Sequence, residues 1–152
     1  MVSFYTQDTS FVFKGRRRCS RWLLEVASRE GCRIGAVSVV FCSDPVILDV
    51  NRKYLGHDYY TDIITFDYCE EEVLNGDLFI SVDTVRANSA EYGTTFHEEL
   101  SRVIVHGLLH LIGYDDHTEA DIAEIRMKEN EALELLKTYE NTVVPRTKTF
   151  LG

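Results

Sequence analysis

Three of the chain's five histidines fall within one twelve-residue stretch, HGLLHLIGYDDH (106–117). His106 and His110 stand four apart in an apolar run. If that run is helical, both imidazoles lie on one face, close enough to share an ion at metal–nitrogen distances of about 2.0–2.1 Å. Gly113 then allows a left-handed turn, after which the chain doubles back toward the same ion. His117 is the expected third ligand, because three neutral imidazoles leave a tetrahedral zinc with one open position for Lewis-acid chemistry. Asp116 is the alternative: it offers an oxygen one residue nearer and sits where the third histidine falls in H-E-x-x-H-x-x-G-x-x-H peptidases. In those enzymes the glutamate after the first histidine is the general base, whereas here that position is Gly107. Peptide hydrolysis therefore lacks its proton-transfer residue. Asp115 and Asp116 are the acidic groups nearest in sequence, and no side chain is assigned as a catalytic base.

The flanking sequence supplies elements that can position these residues. Thr95 and Glu98 form a capping-box signature ahead of FHEELSRVIVHGLLHLIG, and Thr118 with Asp121 forms a similar one ahead of ADIAEIRMKENEALELLKTYE. Two long helices thus bracket YDDH. Upstream, VSFYT, IGAVSVVFCS (34–43), TDIITFDY (61–68) and GDLFISV (76–82) read as four strands. Helices are expected over FKGRRRCSRWLLEVASREG, ending at Gly31, over DPVILDVNRKYLG, capped by Asp44 and ended by Gly56, and over SVDTVRANSAEYG. Thr61 with Asp62, and Asp77 after Gly76, read as turn residues, and His57 and His97 as exposed or capping. The expected fold is α+β: a single domain over 1–152, with a mixed sheet of about four strands, several helices and a metal site at the end of a long helix. Residues 1–140 form its core, and NTVVPRTKTFLG (141–152) is expected to be a loose tail.

Composition narrows the class. The chain has 152 residues, 45% hydrophobic and 27% charged, which suits a soluble globular domain able to bury one core unaided. Cys19, Cys32, Cys42 and Cys69 show no C-x-x-C spacing and read as reduced core thiols. No stretch resembles a signal peptide or membrane span, so a cytoplasmic protein without a membrane partner is expected. The net charge of −9 is unevenly distributed. Residues 11–35 carry seven basic groups against two acidic, while residues 62–134 carry four basic against eighteen acidic. Lys14, Arg17, Arg18 and Arg21 fall on one side of the first helix as a basic stripe, a candidate contact for nucleic-acid phosphates.

The motif HGLLHLIGYDDH resembles the H-G-x-L-H-L-x-G-Y-D-H hallmark of the YbeY family of bacterial ribosomal-RNA maturation factors. LDVNRKYLGHDYYTDIITFDY (48–68) and NGDLFIS (75–81) are similar to that family's L-N-x-x-Y-R-x-x-D-x-x-T-D-V-L-S-F and G-D-I-x-I-S, in the same order. The resemblance implies a metal-dependent endoribonuclease specific for single-stranded RNA, acting in 16S rRNA 3′-end maturation and ribosome quality control. It further implies one Zn2+ on His106, His110 and His117. Ribosomal RNA, the small ribosomal subunit and ribosome-associated proteins are the implied partners. Two departures stand out: G-Y-D-H is G-Y-D-D-H here, and the arginine after the motif's tyrosine is Leu55. Arg52 or Lys53 is the expected substitute for that arginine. The alternative from another class is a ribosome-binding assembly factor with a structural or vestigial metal site, and a metallopeptidase-like hydrolase ranks third.

Overall fold

Alternating apolar side chains and well-formed helix caps build a four-stranded sheet with helices against both faces. The computed structural model describes residues 1–57 and 61–141. The tail from residue 142 onward, expected to be loose, lies outside the described residues. In chain order the elements are β1 (Val2–Gln7), α1 (Arg16–Arg29), β2 (Arg33–Cys42), α2 (Asp44–Val50), a π-helical turn (Asn51–Leu55), β3 (Ile63–Asp67), β4 (Val73–Ser81), α3 (Val82–Tyr92), α4 (Phe96–Ile112) and α5 (Glu119–Asn141). The sheet order is β1-β2-β4-β3, with β1, β2 and β4 parallel and β3 antiparallel to β4. This is the α+β arrangement with a mixed sheet that the sequence predicts. No described helix is long and apolar enough to cross a membrane.

Because strand side chains alternate, the sheet presents two apolar faces. Val37, Val39, Phe41, Leu74, Leu78 and Ile80 join the larger core under α1, α3, α4 and α5. Cys42 and Ile64, with Phe66 and Phe79 beside them, pack against Ile47 and Val50 of α2. Helix α4 is buried on most of its circumference, and its capping box is present as expected, with Thr95 Oγ1 accepting from the Glu98 amide at 3.0 Å. Gly113 ends the helix at φ 127°, and Thr118 and Asp121 cap α5 reciprocally. Trp22 Nε1 donates to the Ala132 carbonyl at 2.7 Å, tying α1 to α5.

Three local expectations are corrected. Gly76 and Asp77 do not make a turn; they lie inside β4, where Asp77 pairs with Ser38 on one side and Phe66 on the other. The glycine is there for space: a Cβ on Gly76 would lie 2.5 Å from the Phe66 carbonyl oxygen and 2.9 Å from Leu111 of α4. Ser43, not Asp44, is the N-cap of α2, and Asp44 instead accepts from the hydroxyls of Ser81 and Thr84 at 2.5 and 2.7 Å. Lys14 precedes α1, which begins at Arg16 after Gly15 at φ 84°.

A methyl group at Gly76 must displace backbone, an overpacking that costs about 1–3 kcal/mol. Gly76→Ala should therefore lower the melting temperature by about 4–8 °C, taking a loss near 2 kcal/mol in a chain of this size. An unchanged melting temperature would contradict the close approach of α4 to β4.

Candidate metal centre

Position 107 decides how near α4 comes to the sheet. A Cβ there would sit 2.8 Å from Ile63 and 3.0 Å from Leu78. The position that holds a peptidase's glutamate is thus pressed against β3 and β4, and a base has no room there. His106 and His110, on the neighbouring face of the helix, are half-buried with rings 4.5 Å apart. Their Nε2 atoms are 3.0 Å apart. The turn at Gly113 returns the chain, held by the Tyr114 amide on the Leu109 carbonyl at 3.0 Å, and Tyr114 donates its hydroxyl to Glu30 at 2.8 Å. Asp116 Oδ2 then lies 3.3 Å from His110 Nε2 and 3.6 Å from His106 Nε2.

These separations fit an ion. A tetrahedral centre with bonds of about 2.1 Å holds its donors about 3.4 Å apart. His106, His110 and Asp116 form a donor group whose atoms all lie within 4.8 Å of one another. His117, the expected third ligand, is exposed and lines the same cleft, but the residue brought against the two imidazoles is Asp116. Asp116 is the third residue after Gly113, and His117, one position further on, lines the cleft without joining that donor group.

Behind His106 stands a carboxylate that no local motif announces. Glu129 of α5 is buried and accepts from His106 Nδ1 at 2.5 Å. Arg102 donates to its other oxygen at 2.9 Å, and Arg126 lies 3.9 Å from that oxygen. With the Nδ1 proton committed to Glu129, the Nε2 lone pair faces His110 and Asp116, which is the tautomer a metal ligand needs. Burial works against charge on both partners. Even so, the hydrogen bond to His106 and the contact with Arg102 hold the Glu129 carboxyl below its usual range. For His106, burial opposes the cation, but the Glu129 hydrogen bond and the charges of Glu129, Asp116 and Asp62 outweigh it and raise the pKa.

The donors open into a cleft of about 600 Å³ between α4, β3 and the π-helical turn. Asp62, Asp67, Asp115 and Asp116 line it, and its described lining contains no lysine or arginine. Asp62, read as a turn residue, directly precedes β3, and burial pushes its carboxyl upward against the pull of His106. His57 also lines the cleft, whereas His97 lies on the surface 2.5 Å from Glu140. Leu55 lines the cleft where the family motif has arginine. Neither Arg52 nor Lys53 is part of the lining, and Lys53 lies 3.6 Å from Asp49. All four cysteines are free, as expected, and burial pushes the Cys19 and Cys42 thiols up to about 12, away from metal or redox chemistry.

A family model described as "Endoribonuclease YbeY" matches residues 3–137. The chain is 47% identical over 136 residues to an endoribonuclease YbeY of Porphyromonas gingivalis, covering 90% of each. It is 46% identical to the corresponding protein of Phocaeicola vulgatus, covering 90% of this chain and 99% of the other. The solution structure of TM1509 from Thermotoga maritima superposes with a TM-score of 0.68 at 27% identity, covering 93% of this chain and 94% of that one.

Losing an outer partner of a ligating histidine weakens metal binding about 10–100-fold. Glu129→Ala should show a loss of that size with Zn2+ as the probe ion in chelator competition, and Glu129→Gln, which keeps an acceptor for Nδ1–H, should recover part of it. Unchanged affinity in a folded Glu129→Ala protein would contradict the assigned role.

Proposed function

The chain belongs to the YbeY family of endoribonucleases, and we propose that it is a zinc-dependent enzyme cutting single-stranded RNA in 16S rRNA 3′-end maturation and ribosome quality control. In this reading it works in the cytoplasm, with ribosomal RNA, the small ribosomal subunit and ribosome-associated proteins as partners. The observation that carries the zinc assignment is the trio of His106, His110 and Asp116, with donor separations of 3.0, 3.3 and 3.6 Å at the wall of an open cleft. Two imidazoles and one carboxylate are a donor set zinc accepts.

When bound, the ion supplies Lewis-acid charge at a scissile phosphate. The protein's share is positioning. Glu129 fixes the tautomer and tilt of His106, and Arg102 fixes Glu129. The four aspartates of the cleft favour a cation and oppose a bare phosphodiester, so RNA is expected to enter productively only once the site is loaded. Gly107 leaves no place for a peptidase's base, which counts against peptide hydrolysis.

A second reading is an assembly factor whose metal is structural or vestigial. Leu55 and the lack of lysine or arginine among the described cleft residues favour it. It predicts binding to small subunits that survives His110→Ala, with RNA cleavage no faster than background.

The two readings separate in one set of assays: metal content of the purified protein, and cleavage of single-stranded RNA before and after chelation. Chelation and His110→Ala should each reduce cleavage by more than the roughly 10–100-fold typical of losing an outer-sphere partner. Full activity in either would refute the zinc mechanism. The third ligand is read from bound zinc: Asp116→Ala should fail to retain the ion and His117→Ala should keep it. The opposite result would return the site to the three-histidine form.

A further inference from the structure

The basic segment of the chain and the metal cleft sit at opposite ends of the sheet. The cleft is walled by β3, and a groove of about 580 Å³ runs beside β1, lined by Arg16, Arg17, Ser20 and Arg21 of α1 and by Val2, Ser3 and Phe4. With the order β1-β2-β4-β3, three strand spacings of about 4.8 Å put these edges about 14 Å apart. Of the four residues in the sequence-predicted stripe, only Arg17 and Arg21 line the groove, and Arg16 joins them. Lys14 precedes the helix, and Arg18 is half-buried outside the groove lining.

The groove's described lining holds three arginines and no acidic residue, and none of the three makes an ion pair with a described residue. The cleft is its electrostatic opposite. A polyanion approaching a chain of net charge −9 is repelled by the acidic body, and its attraction must come from this end. Guanidinium forks beside serine hydroxyls are phosphate chemistry. Phe4 is only 8% exposed, so the groove offers little apolar anchorage for a peptide side chain.

We infer that the groove between β1 and α1 is a second RNA-contact surface, where Arg16, Arg17 and Arg21 hold backbone phosphates of a single strand whose other part reaches the metal cleft. At about 3.4 Å per stacked nucleotide, the 14 Å between the edges corresponds to at least four nucleotides. The inference rests on the endoribonuclease reading for the identity of the polyanion, but not on zinc or on cleavage.

The test is fluorescence anisotropy with a single-stranded RNA of about 20 nucleotides, several times the four-nucleotide span. It is carried out in the His110→Ala background, so that cleavage does not enter the readout. Arg16/Arg17/Arg21→Gln should raise Kd at least about tenfold and flatten the log Kd against log salt slope by about 2, at about 0.7 for each phosphate no longer neutralised. Arg16/Arg17/Arg21→Lys, which keeps the charge, should recover most of the affinity. A charge-matched control, Arg29/Lys53/Lys137→Gln, removes three exposed cations that are already paired with acidic neighbours and should change Kd much less. Equal weakening by the groove and control variants would reduce the effect to net charge and overturn the inference. Unchanged affinity in the folded groove variant would overturn it as well.

Discussion

Helix α4 lies as close to β3 and β4 as it does because two positions where they meet carry no Cβ. Gly107 on the helix faces Ile63 and Leu78, and Gly76 on β4 faces Leu111 and the Phe66 carbonyl. Each removes a side chain where backbone and core side chains press together. That packing orients α4 so that the face with His106 and His110 borders the cleft, while Leu108, Leu109 and Leu111 are buried. The turn at Gly113 and the Glu129 carboxylate act on imidazoles already placed in this way. The grouping of His106, His110 and Asp116, which could hold a metal ion, is therefore a consequence of helix-on-sheet packing, completed from two sides by α5 and the loop before it.

The parts of this arrangement legible in the sequence were those carried by local patterns. The i, i+4 histidines, the Thr95–Glu98 box and the Gly113 turn each depend on residues within a few positions, and each is present in the structure. Turn-like residues misled where a glycine served packing: Gly76 and Asp77 read as turn residues in sequence, yet they lie mid-strand, where a Cβ on Gly76 would meet Leu111 and the Phe66 carbonyl. The choice between Asp116 and His117 hinged on one residue of register in a segment without regular structure, which spacing alone did not fix. Glu129 was invisible for a different reason. It sits 23 residues beyond His106 on a helix rich in acids, and only tertiary packing distinguishes it from its solvated neighbours.

Charge is divided as sharply as the fold. The cleft gathers aspartates around a site suited to a cation, while arginines without described acidic partners collect by the opposite edge strand. The basic and acidic surfaces thus lie at opposite edges of the sheet. Leu55 lines the cleft, whose described lining carries no lysine or arginine.

The proposed zinc ion would sit between His106, His110 and Asp116. Crystals grown with zinc, with diffraction recorded on both sides of the zinc absorption edge, test this placement directly. One anomalous peak is expected about 2.0–2.2 Å from Nε2 of both histidines and from an Asp116 oxygen. A peak held by His117 with Asp116 turned away, or no peak between the two histidines, would contradict it.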